Sequence, residues 1–187
     1  MLTGRLFAFL SGKDSPLDHA CTPTDLLRAS HAYAQTLVPR TLQAYASMAC
    51  IRAIAGRLEL AHVGNVRVYR VSGGHWVRHN TEHTVYRYLL EQMPEGEGGP
   101  ESLKGQLPMT GVTSALGPSE DLRIERLAVD LSPGDTLVFC TSSVWSALDT
   151  KKLPPLPAYS PPAVAASVLA AADVTYGAVV VATYSGV

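Results

Sequence analysis

The sequence predicts an α+β fold built mainly of antiparallel strands, on three observations. Short apolar runs separated by glycine turns crowd the stretch from Ser47 to His79. Helical spacing recurs in three separate segments, and two more strand-like runs follow on either side of a Pro-Gly turn. At 187 residues, 47% hydrophobic and 17% charged, the chain is expected to form one domain, 1–187, able to bury a core without disulfides.

Arg5 to Leu10 reads as a short buried strand. Thr22-Pro23-Thr24-Asp25 then supplies a hydroxyl cap, an early proline and an acid, the signs of a helix start. Leu26, Leu27, Ser30, Tyr33, Ala34 and Leu37 follow at helical spacing up to the breaker Pro39. Strands are expected at Ser47 to Ala55, Leu58 to Val63, Val66 to Val71 and His75 to His79. Turns at Gly56-Arg57, Gly64-Asn65 and Gly73-Gly74 would join them as one antiparallel meander. Leu58, Leu60 and His62 share a face of the second strand. Glu82 to Gln92 is expected to be helical, with Val85, Tyr88 and Leu89 inward.

Residues 93–111, rich in Gly, Glu and Pro, read as a flap-like loop, and 154–162 as a Pro-rich connector. Strands return at Ile124 to Leu131 and Thr136 to Cys140, around Ser132-Pro133-Gly134-Asp135. The second of them ends in a cluster of hydroxyls, Thr141, Ser142 and Ser143. An alanine-rich helix ending near Ala172 and a strand from Ala178 to Tyr184 close the chain.

Fifteen basic and sixteen acidic side chains leave a net charge of -1, which argues against nucleic acid or an anionic membrane surface as partner. Cys21, Cys50 and Cys140 are dispersed and odd in number, with no spacing for zinc or a redox pair. A reducing, cytoplasmic setting is the simpler expectation. The opening apolar run is too short for a signal peptide, and no window approaches a membrane span.

Several stretches, in order, resemble the metal-dependent protein phosphatases, the type 2C Ser/Thr family. "RLFAFLSGKDS" is similar to the family's strand ending in Asp-Gly, and "LELAHVGNVRVYRV" to its strand, Gly-Asp-Ser-Arg turn and next strand. "NTEHTV" resembles its Asp-His-Ser segment and "VTSALG" its Thr-Arg-Ala-Leu-Gly segment. "LSPGDTLVFCTSSVWSAL" resembles its Pro-Gly-Asp turn and Ser-Asp-Gly-Leu strand end, and "VTYGAVVVATY" its Asp-Asn segment and final strand. The resemblance implies a four-layer αββα sandwich, two mainly antiparallel sheets packed face to face with helices outside.

In the family, aspartates at these strand ends hold two divalent cations, whose bridging water attacks phosphorus. Carried across, the acid of Asp-Gly falls on Ser11, with Gly12 matching, and the acid of Gly-Asp-Ser-Arg falls on Asn65, with Gly64 and Arg67 matching. The acid of Ser-Asp-Gly falls on Ser142, and that of Asp-Asn near Thr175. Hard cations require anionic oxygens, which Ser11, Asn65, Ser142 and Thr175 lack. The expectation is therefore a pseudophosphatase with no catalytic residue, no metal and no cofactor, acting in regulation or scaffolding through protein binding. The alternative is a divergent metal-dependent phosphoprotein phosphatase that recruits Asp14, Asp18 or Asp173. The family's opening strand, with its phosphate-gripping Arg, has no counterpart before Arg5. The sheet edge near Arg5 to Leu10 is therefore expected to take a protein partner or a second copy.

Other features carry plainer readings. His75, His79 and His83 recur every four residues with His62 nearby, yet a strand followed by a helix would spread their rings; His62 and His83 also stand where the family carries histidine. Cys140, beside Thr141, and Cys21 are expected to be structural thiols. Lys151 to Pro157 has the form that polyproline readers bind, but a surface connector held extended by proline needs no reader. Trp76 and Trp145 are expected in the core or on a sheet face.

Overall fold

The computed structural model describes residues 21–39, 41–93, 111–148, 153 and 160–186. The expected Arg5–Leu10 strand and its edge, residues 94–110 of the flap and 154–159 of the connector lie outside the described residues. The described residues divide into two compact units: those up to 52, with 59–65 and those between 82 and 126, form the first, and 53–58, 66–81 and those from 127 onward the second.

The described elements are α1 (Pro23–Leu37), β1 (Met48–Ile54), β2 (Arg57–Val63), β3 (Arg67–Ser72), β4 (His75–Arg78), α2 (Val85–Gln92), β5 (Glu125–Asp130), β6 (Thr136–Cys140), α3 (Ser142–Leu148), α4 (Pro161–Ala172) and β7 (Val179–Thr183). The strands form two antiparallel sheets, ordered β1-β2-β5 and β4-β3-β6-β7. The α+β class with helices flanking antiparallel sheets is the one that forms.

In the first unit, Thr22 caps α1 through a capping box. The Asp25 N–H donates to Thr22 Oγ1 at 3.2 Å, and the Thr22 N–H donates to Asp25 Oδ2 at 3.2 Å. The helix lays Leu27 and Ala34, both fully buried, against Ala61 and Val63 of β2, Cys50 of β1 and Leu116. Truncating Leu27 to alanine in such a layer costs about 2–5 kcal/mol.

The second unit is organised around β6, which is covered on both faces. Val138 and Cys140 point to one side, where Val144, Trp145 and Leu148 of α3 and Val164, Val168 and Ala172 of α4 pack with Tyr69 and Val71. Leu137 and Phe139 point to the other side, against Leu58, Val129, Leu131 and Tyr184. A strand with apolar residues at consecutive positions needs a layer on each face. The Ser132–Asp135 turn is pinned by Asp135, 2% exposed, whose Oδ2 accepts the Ser132 N–H at 2.8 Å.

The structure corrects four local expectations. The four central strands are not one meander: β1 and β2 belong to one sheet, β3 and β4 to the other, and the chain changes sheet at Gly64-Asn65. The β1–β2 hairpin turns at Ala55-Gly56, one residue early. Both residues have positive φ (48° and 77°), which a two-residue turn of matching twist demands. Helix α2 starts at Val85 because Thr84 caps it, accepting the Arg87 N–H at 3.2 Å; its Tyr88 is 49% exposed, not inward. Helix α3 was not expected at all. It begins one residue past β6, inside the hydroxyl cluster.

Candidate functional site

The turn after β2 is shaped by close approach. Gly64 has φ +89°, and a Cβ built on it would lie 2.1 Å from Ser47 Oγ. Beside it, the Ser47 hydroxyl donates to Asn65 Oδ1 at 2.8 Å and accepts the Asn65 N–H at 3.0 Å. The side-chain oxygen at the position of the family's acid is therefore engaged by a hydroxyl donor.

Two residues on, Arg67 is 8% exposed, with its guanidinium carbon 3.9 Å from the centre of a Trp145 ring. It also donates to the Tyr69 hydroxyl at 3.4 Å. Asn80 fastens the start of β3 by accepting the Val68 N–H and donating to Val66 O, both at 2.8 Å.

At the end of β6, Thr141 ties the hydroxyl cluster to the segment before β7. Its Oγ1 accepts the Ala178 N–H at 3.0 Å, and its own N–H donates to Ala178 O at 3.1 Å. Ser142 and Ser143, both half-buried, open α3, where the Ser146 hydroxyl bonds back to Ser142 O at 2.6 Å. Thr175 is exposed on the segment that Thr141 holds, so the structure joins the surroundings of Ser142 and Thr175 through one residue. Asp173 is exposed and caps the C-terminus of α4 in the left-handed region, φ 51°. Ser11, Gly12, Asp14 and Asp18 lie outside the described residues.

Of the histidines spaced by four, His75 is exposed on β4 and His79 half-buried. His83 instead stacks on His62, with ring centroids 4.9 Å apart and planes at 28°. His62, fully buried on β2, has Nε2 2.6 Å from Glu125 Oε2. His83 is fixed by its own N–H, which donates to Gly64 O at 2.9 Å, and by the Thr113 N–H, which donates to His83 O at 2.9 Å. Burial, then the neighbouring His62 and Arg123, push the His83 pKa down to about 4, with Glu125 opposing. One potential ligand atom from each of His62, His83 and Glu125 lies within 4.8 Å of the others.

Sequence reasoning missed Glu125, because it stands 63 residues from His62 on a strand whose charges otherwise alternate outward. It also passed over Glu82, which holds the acidic place of the Asp-His-Ser-like segment and is 4% exposed. The plainer readings of the other residues agree with their surroundings. Cys140 is fully buried, and burial pushes its thiol up to about 12, against the pull of Arg67. Trp76 packs edge-on to Tyr69 at 5.5 Å, and Trp145 is 1% exposed.

The strand orders, helices and turns are those of the fold of the metal-dependent, type 2C Ser/Thr phosphatases. No family model matches the sequence, and no curated protein matches it. Solved structures do. PppA, a key regulatory component in Pseudomonas aeruginosa, is 20% identical with a TM-score of 0.71, over 98% of this chain and 79% of that one. The Mycobacterium tuberculosis serine/threonine phosphatase PstP/Ppp is 18% identical with a TM-score of 0.70, over 98% and 81%. A catalytic domain of PstP in complex with two manganese ions is 17% identical with a TM-score of 0.64, over 96% and 78%. Among the described residues, no helix is long and apolar enough to cross a membrane.

Proposed function

We propose that this chain is a non-catalytic type 2C phosphatase-like module that acts in regulation or scaffolding by binding protein. The observation that carries the reading is the state of Asn65. It is neutral where the family has an acid, and its side-chain oxygen accepts from Ser47 at 2.8 Å. Ser142 and Thr175 are neutral as well. A pair of hard divalent ions takes anionic oxygens, so these donors do not fit it. That PppA, of the same fold, is a regulatory component supports a regulatory role. The partner would be a protein or a second copy of this chain. Size exclusion with light scattering, read against a 19.9 kDa monomer, tests that part.

Catalysis is tested with p-nitrophenyl phosphate and phosphopeptides in millimolar Mn²⁺. The expected rate equals the buffer blank. Manganese-dependent turnover that disappears in Asp14→Asn or Asp173→Asn would establish the second reading, a divergent phosphatase with relocated ligands. The exposed Asp173 carboxylate and the buried acid Glu82 favour that second reading.

A further inference from the structure

We propose that His62, His83 and Glu125 form a binding site for one borderline divalent ion of the Zn²⁺ class. None of the three is among the positions that carry the functional reading above, so the two stand or fall separately. Two imidazoles and one carboxylate, with a fourth place left for water, suit zinc or cobalt. Magnesium and calcium prefer all-oxygen shells.

The geometry is close to what such an ion needs. Ligand atoms about 2.0–2.2 Å from a tetrahedral ion sit roughly 3.3–3.6 Å from one another. The three atoms here already lie within 4.8 Å, and the His62–Glu125 pair is at 2.6 Å. Of the three, Glu125 is the most exposed side chain, at 27%, and is the one that would have to adjust, whereas both rings are buried on held backbone. An ion would take the place of the proton now between His62 Nε2 and Glu125.

The remaining ring nitrogens set the cost of loading. Glu125 now keeps the His62 proton on Nε2; an ion there would move it to Nδ1, which is buried with no hydrogen-bond partner, so the site lacks the outer partner that strengthens a bound imidazole. His83 Nδ1 accepts the Gly64 N–H at a long 3.4 Å, a weak tie on that ring.

The test is titration of metal-free protein with Co²⁺, followed by competition with Zn²⁺. The expected result is one ion per chain with visible tetrahedral d–d bands that Zn²⁺ abolishes. Binding should weaken by more than the roughly 10- to 100-fold that loss of an outer partner costs, both in Glu125→Gln, which preserves the shape and hydrogen bonding of the pair, and in His83→Gln. Far-UV circular dichroism confirms that both variants fold. No bands from the folded unaltered protein would overturn the proposal whatever the variants do. It is equally overturned by bands that survive both substitutions, or that vanish in Asp173→Asn instead.

Discussion

Ser47 and Asn65 hold one another across the turn that follows β2. The Ser47 hydroxyl donates to Asn65 Oδ1 at 2.8 Å and accepts the Asn65 N–H at 3.0 Å. The pair closes over Gly64, whose backbone lies too near Ser47 for any side chain. That arrangement, the Arg67–Trp145 stack and the buried His83 each lead to a measurable expectation.

Gly64→Ala should destabilise the fold by about 2–5 kcal/mol in urea denaturation. Left-handed backbone costs an L-residue about 1–2 kcal/mol, and overpacking about 1–3 kcal/mol more. A Cβ there would lie 2.1 Å from Ser47 Oγ, 2.5 Å from its Cβ and 2.8 Å from its Cα. Adding Ser47→Gly should therefore recover only part of the loss, and full recovery would contradict the backbone term.

Arg67→Ala should cost about 2–3 kcal/mol, because the guanidinium is buried 3.9 Å over Trp145 and its stem is packed with it. Arg67→Lys should fall between, since an ammonium keeps the charge but loses the planar face. Denaturation curves, with Trp145 emission as a local reporter, measure both. Equal stability of all three forms would mean the stack contributes nothing.

Stability should fall on acidification through the window from about pH 6.5 to about 4. His83 is held at about 4 when folded, below its ordinary 6.5, so the unfolded chain takes up the proton first and is favoured as pH drops. The contribution is complete above pH 6.5 and lost below 4, on the order of 3 kcal/mol. His83→Gln should remove that part of the slope. A residual slope of the same sign should remain, since burial also lowers His31 and His79. Urea midpoints across the window decide it, and an unchanged slope in the variant would refute the assignment.

Local chemistry was legible in the sequence wherever a residue acts on its near neighbours. Thr22, Pro23 and Asp25 announced the start of α1, Gly73-Gly74 announced a hairpin, and Ser132 to Asp135 announced the turn before β6. The order of these signals also carried the likeness to the type 2C phosphatases, although no sequence comparison matches the chain. Turn and cap residues persist because they satisfy backbone constraints that few other residues can meet. The neutrality of Asn65, Ser142 and Thr175 needs no coordinates at all.

Tertiary structure alone decided what meets across the chain. Apolar alternation in β2 and β3 shows that faces are buried but not what covers them, so it could not reveal that the two strands enter different sheets. The same limit hid α3, whose seven residues have too little periodicity to stand out and whose Val144, Trp145 and Leu148 find their burial against β6 and α4. It also hid the meeting of His62 with Glu125 and the stacking of His83 on His62, which depend on pairings between distant segments. A histidine's role is set by the charge, burial and hydrogen bonds around it, and those are properties of the folded arrangement rather than of spacing along the chain.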